Sequence, residues 1–142
     1  MLRDVLAKIA TEYPAASGQS FADHPLAEFI RNDAAEMLER SIGVNSSRYR
    51  CKGSAGNGNF ANVPWLAVFD SVVTLTATKE YYVVYLFAAD GGIHLSLNQG
   101  TTAVREEFKR LAPDVLKDRA ALMRARLPDF VRLLPVTNIN LS

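Results

Sequence analysis

The chain is short of the residues that build cross-linked or reactive sites. Cys51 is the one cysteine among 142 residues, so no internal disulfide framework can hold the fold, and a reducing cytoplasm is the expected setting. His24 and His94 are the only histidines, and no pair of histidines or cysteines has the spacing of metal ligands. No stretch approaches the roughly 18 apolar residues of a membrane span. The start, "MLRDVLAKIATEY", spreads charge through the part that a secretory signal keeps apolar. Net charge is only +1, which excludes a chain coated in basic residues. The length and the 49% apolar share suit one domain, residues 1–142, with one core.

Catalytic motifs are equally sparse. "GNGNFA" at 56–61 satisfies the loose G-x-G-x-x-G/A pattern of dinucleotide binding, but that pattern works only where the loop opens a helix. Here Pro64 and Trp65 follow, leading into the strand-like "LAVFD". The phosphate-loop pattern also fails, because Asn59 and Phe60 stand where a Lys and a Ser or Thr are required. "PDVLKDR" at 113–119 and "PD" at 128–129 lack the downstream acidic and lysine motif of a Pro-Asp nuclease. Cys51 reads as a structural thiol. The domain alone is expected to be no enzyme and to need no cofactor.

Apolar periodicity gives helices, then strands, then helices. Leu2, Val5, Leu6, Ile9 and Tyr13 share one helical face, and Pro14 is expected to end that helix. Pro25 suits a first helical position, the stripe from Leu26 to Ile42 continues it, and Gly43 stops it. "YRCKG" is expected to run as a strand into a glycine-rich loop. "PWLAVFD", "SVVTLTATK", "YYVVYLFAA" and "IHLSLNQ" all carry the β-branched and aromatic signature of strands. "ADGG" at 89–92 is expected to join the last two as a hairpin. "YYVVYLF" is apolar on both faces, as in a central strand, whereas His94, Ser96 and Asn98 mark a wet face on the next. Thr101 or Thr102 can cap the following helix, with Val104, Phe108 and Leu111 inward. Pro113 opens another helix with Val115, Leu116 and Leu122 inward, and "DFVRLL" forms a short segment after Pro128. The class is α+β: a mostly antiparallel, curved sheet packed by N-terminal and C-terminal helices. The strand-like ending "TNINLS" is what a piece of a longer protein would show.

Charge and aromatics point to binding. Residues 1–42 carry four basic and seven acidic groups, whereas residues 43–65 carry Arg48, Arg50 and Lys52 and no acid. A polyanion can be held locally in this way without the whole domain being basic. Directly after that cluster comes "GSAGNGNFANVPW", with the only tryptophan at its end. Flat rings stack on nucleobases while cations meet phosphate. The same rings also suit a core, and the glycine stretch also suits a plain hairpin.

"GNGNFANVPWLAVFD", then "YYVVYLF" about a dozen residues on, then "LSLNQG", resembles the McrB-like N-terminal domains of modified-cytosine restriction systems. The resemblance spans the chain and is specific in the G-x-G-N-F…P-W core and its spacing to "YYVVYLF". It implies a domain that binds duplex DNA and flips a methylated cytosine into a pocket with a ring on each side of the base and an aliphatic wall. Those positions fall on Trp65, Tyr82 and Leu86. Asn57, between Gly56 and Gly58 and before Asn59, stands where the restriction subunit of that family pushes a tyrosine into the duplex. An asparagine cannot refill the stack as a ring does. The resemblance further implies phosphate contacts from Arg48, Arg50, Lys52 and Ser54, and a nuclease or AAA+ motor domain as C-terminal partner. 5-Methylcytosine is the modified base it points to. The competing expectation is a protein-interaction or oligomerisation module whose aromatics are all core.

Overall fold

The computed structural model describes residues 1–43 and 47–142. Helix α1 spans Leu2–Ala16 and buries Val5, Ile9 and Tyr13. Pro14 lies inside α1 and does not end it; the helix continues two residues, and the Ser17 amide still bonds the Tyr13 carbonyl at 2.9 Å. Proline lacks only its own N–H, and so close to a C-terminus few bonds depend on the turn it disturbs. His24 caps the next helix, its Nδ1 accepting from the Leu26 amide at 3.1 Å while Nε2 faces Gln19 Oε1 at 2.6 Å. That helix runs as α2 (Pro25–Phe29), a wider π-type turn (Ile30–Ala34) and α3 (Ala35–Ile42), and ends at Gly43 in the left-handed region.

Among the described residues four strands follow, β1 (Tyr49–Asn57), β2 (Asn59–Asp70), β3 (Tyr81–Phe87) and β4 (Ile93–Gln99). They form one antiparallel meander in the order β1-β2-β3-β4. The N-terminal helices cover one face, where Val5, Ile9, Leu26, Ile30 and Leu38 pack with Leu66 and Phe87. The glycine-rich stretch is not a loop but the body of the β1–β2 hairpin, and only Gly58 lies outside the strands. Its glycines meet packing demands. A Cβ on Gly53 would lie 2.0 Å from the Ile30 carbonyl oxygen, so the helix can rest on the strand only where there is none. Gly56 follows a register shift after Ser54, has φ 129°, and faces Asn59 across the tip.

Residues 71–80 do not form the expected strand. The Val73 and Thr74 amides both bond the Asp70 carbonyl at 2.8 Å, and Asp70 Oδ1 accepts from the Val72 amide at 3.1 Å. This local turn at the end of β2 overrides the β-branched composition. The wet face expected on β4 is also corrected. His94, Ser96 and Asn98 are half-buried, while Ile93 and Leu95 are 40% and 42% exposed. β4 is the sheet edge farthest from β1, against which the N-terminal helices pack, and the C-terminal segment borders its polar residues.

Helices α4 (Thr102–Phe108), α5 (Ala112–Arg126) and α6 (Pro128–Leu133) complete the chain. Thr101 holds the cap position of α4 without a side-chain bond. Val104 is buried and Phe108 half-buried, but Leu111 and Leu122 are exposed rather than inward. Leu111 lies in the turn before α5, and the middle of α5 meets the sheet at the start of β3 and the end of β4. Tyr81 Oη donates to the Arg119 carbonyl at 3.1 Å and Gln99 Nε2 to the Leu116 carbonyl at 2.7 Å. Among the described residues no helix is long and apolar enough to cross a membrane.

Candidate nucleic-acid interface

Strand alternation sorts the expected residues onto one face, opposite the N-terminal helices. The register aligns three rows across the strands. Ser54, Trp65, Leu86 and His94 form the first; Lys52, Ala67, Val84 and Ser96 the second. Arg50 pairs with Phe69, and Tyr82 with Asn98, and the Phe69 and Tyr82 ring centroids lie 5.3 Å apart, which completes the third. Bulky side chains therefore flank a middle row of small ones. The result is a trough floored by Ala67, Val84 and Ser96, with Trp65 and Leu86 on one bank and Phe69 and Tyr82 on the other. Tyr85 and Phe87 face the N-terminal helices, and Tyr81 reaches α5.

The trough is closed in this structure. Ala67 and Val84 are 0% and 2% exposed, and Ala77 of the 71–80 connector packs onto their cluster with Trp65, Tyr82 and Leu86. Phe69 lies edge-on to Trp65, with centroids 6.5 Å apart. It was the residue missed from the sequence, although it follows Trp65 by four positions and so shares its face.

The basic residues are brought to the same border but not equally. Lys52 Nζ lies 5.7 Å from the Phe69 ring centroid and donates to the Leu75 carbonyl at 2.7 Å, tethering the connector. Arg50 and Ser54 share its face. Arg48 instead grips Asp70, from Nε to Oδ1 at 3.0 Å and from Nη2 to Oδ2 at 2.7 Å. The run that is free of acids in sequence thus meets one in space. That contact holds the Asp70 carboxyl below its ordinary range and the Arg48 guanidinium above its own.

The hairpin tip, Asn57, Gly58 and Asn59, is exposed. Its base is fixed by Tyr13, whose hydroxyl reaches the carbonyls of Ala55 at 3.0 Å and Ala61 at 2.6 Å. Phe60 packs edge-on against Tyr13, Phe21 and His24. A rigid stem therefore presents a polar tip. Cys51 is half-buried, with its thiol pushed up to about 11 by burial and then by the Glu39 charge, and so stays protonated at neutral pH. The described residues contain no cluster of three or more His, Cys, Asp or Glu able to hold a metal ion.

No curated protein and no solved structure gives a significant match to the chain. The family model described as "MrcB-like, N-terminal domain" matches residues 8–142. With nearly its whole length matched, and with the stem, tip and aromatic face all falling inside that span, the chain belongs to the MrcB-like N-terminal domain family.

Proposed function

We propose that this domain recognises a modified base in duplex DNA, by flipping it between Trp65 and Tyr82, for a restriction effector whose nuclease or motor activity lies elsewhere. Family membership supports the coarser part, a DNA-binding role in restriction. The observation that carries the finer part is the common face of Trp65, Tyr82 and Leu86, bordered by Arg50, Lys52 and Ser54. Stacking on two rings offsets the few kcal/mol spent in unstacking a base. Leu86 supplies the aliphatic wall, and 5-methylcytosine is the base first to be tried. Entry requires the connector to lift Ala77 from the trough. The exposed tip, with Asn57 and Asn59, approaches the duplex without a ring to refill the gap.

A second reading has its own observation. Phe69 and Ala77 already fill the space beside Trp65 and Tyr82, as they would in a protein-interaction module with an aromatic core. Gel shifts across modified and unmodified duplexes at rising salt separate the two. The DNA reading expects a modified duplex to be preferred and affinity to fall steeply with salt. No shift at low salt with any duplex would favour the interaction module. 2-Aminopurine at or beside the target should brighten on binding if the base leaves the stack.

A further inference from the structure

Residues 101–142 carry eight basic and five acidic side chains, and the contacts proposed above use none of them. Among the described residues the one ion pair that these bases make joins Arg132 to Asp129. Helix α5 sorts the surplus. Arg119, Leu122, Met123 and Arg126 recur at intervals of three, four and seven, so they share one side of the helix. Asp114 and Asp118 fall roughly 90° or more away from that side. The shared side meets the start of β3, where Tyr81 Oη donates to the Arg119 carbonyl. With Glu80 and Tyr81 the four residues line a recess of about 260 Å³. The Arg119 guanidinium lies over the Phe108 ring, 5.7 Å from its centroid, and Arg126 has no hydrogen bond, ion pair or ring contact among the described residues. Burial raises the pKa of the Tyr81 hydroxyl, and the charges of Arg119 and Arg126 both oppose that rise while Glu80 adds to it. Two guanidiniums therefore stand at the recess against one carboxylate, which neither of them pairs with.

We infer that Arg119 and Arg126 form a second phosphate-binding site, which holds the backbone of a duplex that Lys52 meets elsewhere along the connector. The inference rests on the DNA-binding part of the function proposed above and not on base flipping. Charge sets the ligand class, and the planar N–H donors of each guanidinium match two oxygens of a phosphate. Position sets the partner. The connector is tethered by Lys52 at Leu75 and ends at Glu80, beside the recess. β1, which carries Lys52, and β3, which begins at Tyr81, are two strand spacings apart, about 10 Å. A duplex offers phosphates on both sides of grooves about 6 and 12 Å wide, so the two basic groups reach different ones. A phosphate carries no base identity, and this site adds affinity without selectivity.

The test is a salt series of gel shifts with modified and unmodified duplexes, using an Arg119→Gln/Arg126→Gln double variant. An Arg3→Gln/Arg40→Gln variant loses the same charge from the N-terminal helices and serves as control. At about 50 mM salt the α5 variant should bind both duplexes about tenfold more weakly, with a salt slope smaller by up to about two units. The control should change both far less. If the double variant melts early, Arg126→Gln alone carries the test and should lower the slope by up to about one unit. A folded α5 variant with the parent's affinity and slope, or one that the control matches, overturns the inference. A loss confined to the modified duplex overturns it too, because it would place these residues in recognition of the base. A parent domain that shifts no duplex at low salt is a different failure, refuting the DNA-binding reading and this site with it.

Discussion

Tyr13 shares one hydroxyl proton between the carbonyls of Ala55 and Ala61, and burial pushes its pKa from 10.0 up to about 12. On unfolding the phenol returns to its ordinary value. Between pH 10 and 12 the unfolded chain has therefore lost a proton that the folded chain keeps, so this residue's contribution to stability is present below that window and is lost as pH rises through it. Tyr13→Phe should cost about 1–3 kcal/mol at neutral pH, because two carbonyls lose their partner, and should flatten the alkaline decline; denaturant melts at pH 7 and 11 measure both. The basic residues are separable in the same way. Lys52→Ala should weaken modified and unmodified duplexes alike and lower the salt slope by up to about one unit. Arg48→Ala should do less, because Asp70 already holds its charge. Loss of discrimination with nonspecific affinity intact in Lys52→Ala would contradict the assignment. Sequence alone identifies Arg48 and Lys52 as candidates but cannot see Asp70, which is 22 positions from Arg48 and arrives only through β1–β2 pairing.

The β1–β2 hairpin and the connector after it show what local pattern can and cannot tell. Tyr81–Phe87 is legible as an interior strand because both faces are apolar, and Pro25 and Gly43 mark helix ends through backbone geometry. Residues 71–79 mislead, because a single aspartate, Asp70, turns the chain by accepting three amides, against the preference of Val72 and Val73. At the glycines at 53 and 56 the chain itself comes close: Ile30 at the first and Asn59 at the second. Gly53→Ala should therefore cost about 1–3 kcal/mol by overpacking against the helix. Gly58→Ala, at φ 74° but with nothing within 4 Å of a new Cβ, should cost only about 1–2 kcal/mol of backbone strain. Thermal melts of the two variants rank them, and a Gly53→Ala protein that melts with the parent would show that the strand can withdraw from Ile30.

At the scale of the molecule, one sheet divides two environments. Its helix-covered face holds the core that orients everything else. Its other face carries a line of rings, a row of small residues and a basic border, closed over by a short connector. Period-two alternation made the pairing of Tyr82 with Leu86 legible in the sequence, while the place of Trp65 beside Leu86 needed the register between strands. The central claim is that Trp65 stacks on an extruded base and is not merely core. The most direct measurement is the affinity of Trp65→Ala for modified and unmodified duplexes, made on protein shown by melting to be folded. The account predicts a loss of about 1–3 kcal/mol that falls on the modified duplex alone, with nonspecific affinity retained through Lys52 and its neighbours. A variant that unfolds early, or one that folds and still prefers the modified duplex by the parent's ratio, would contradict it.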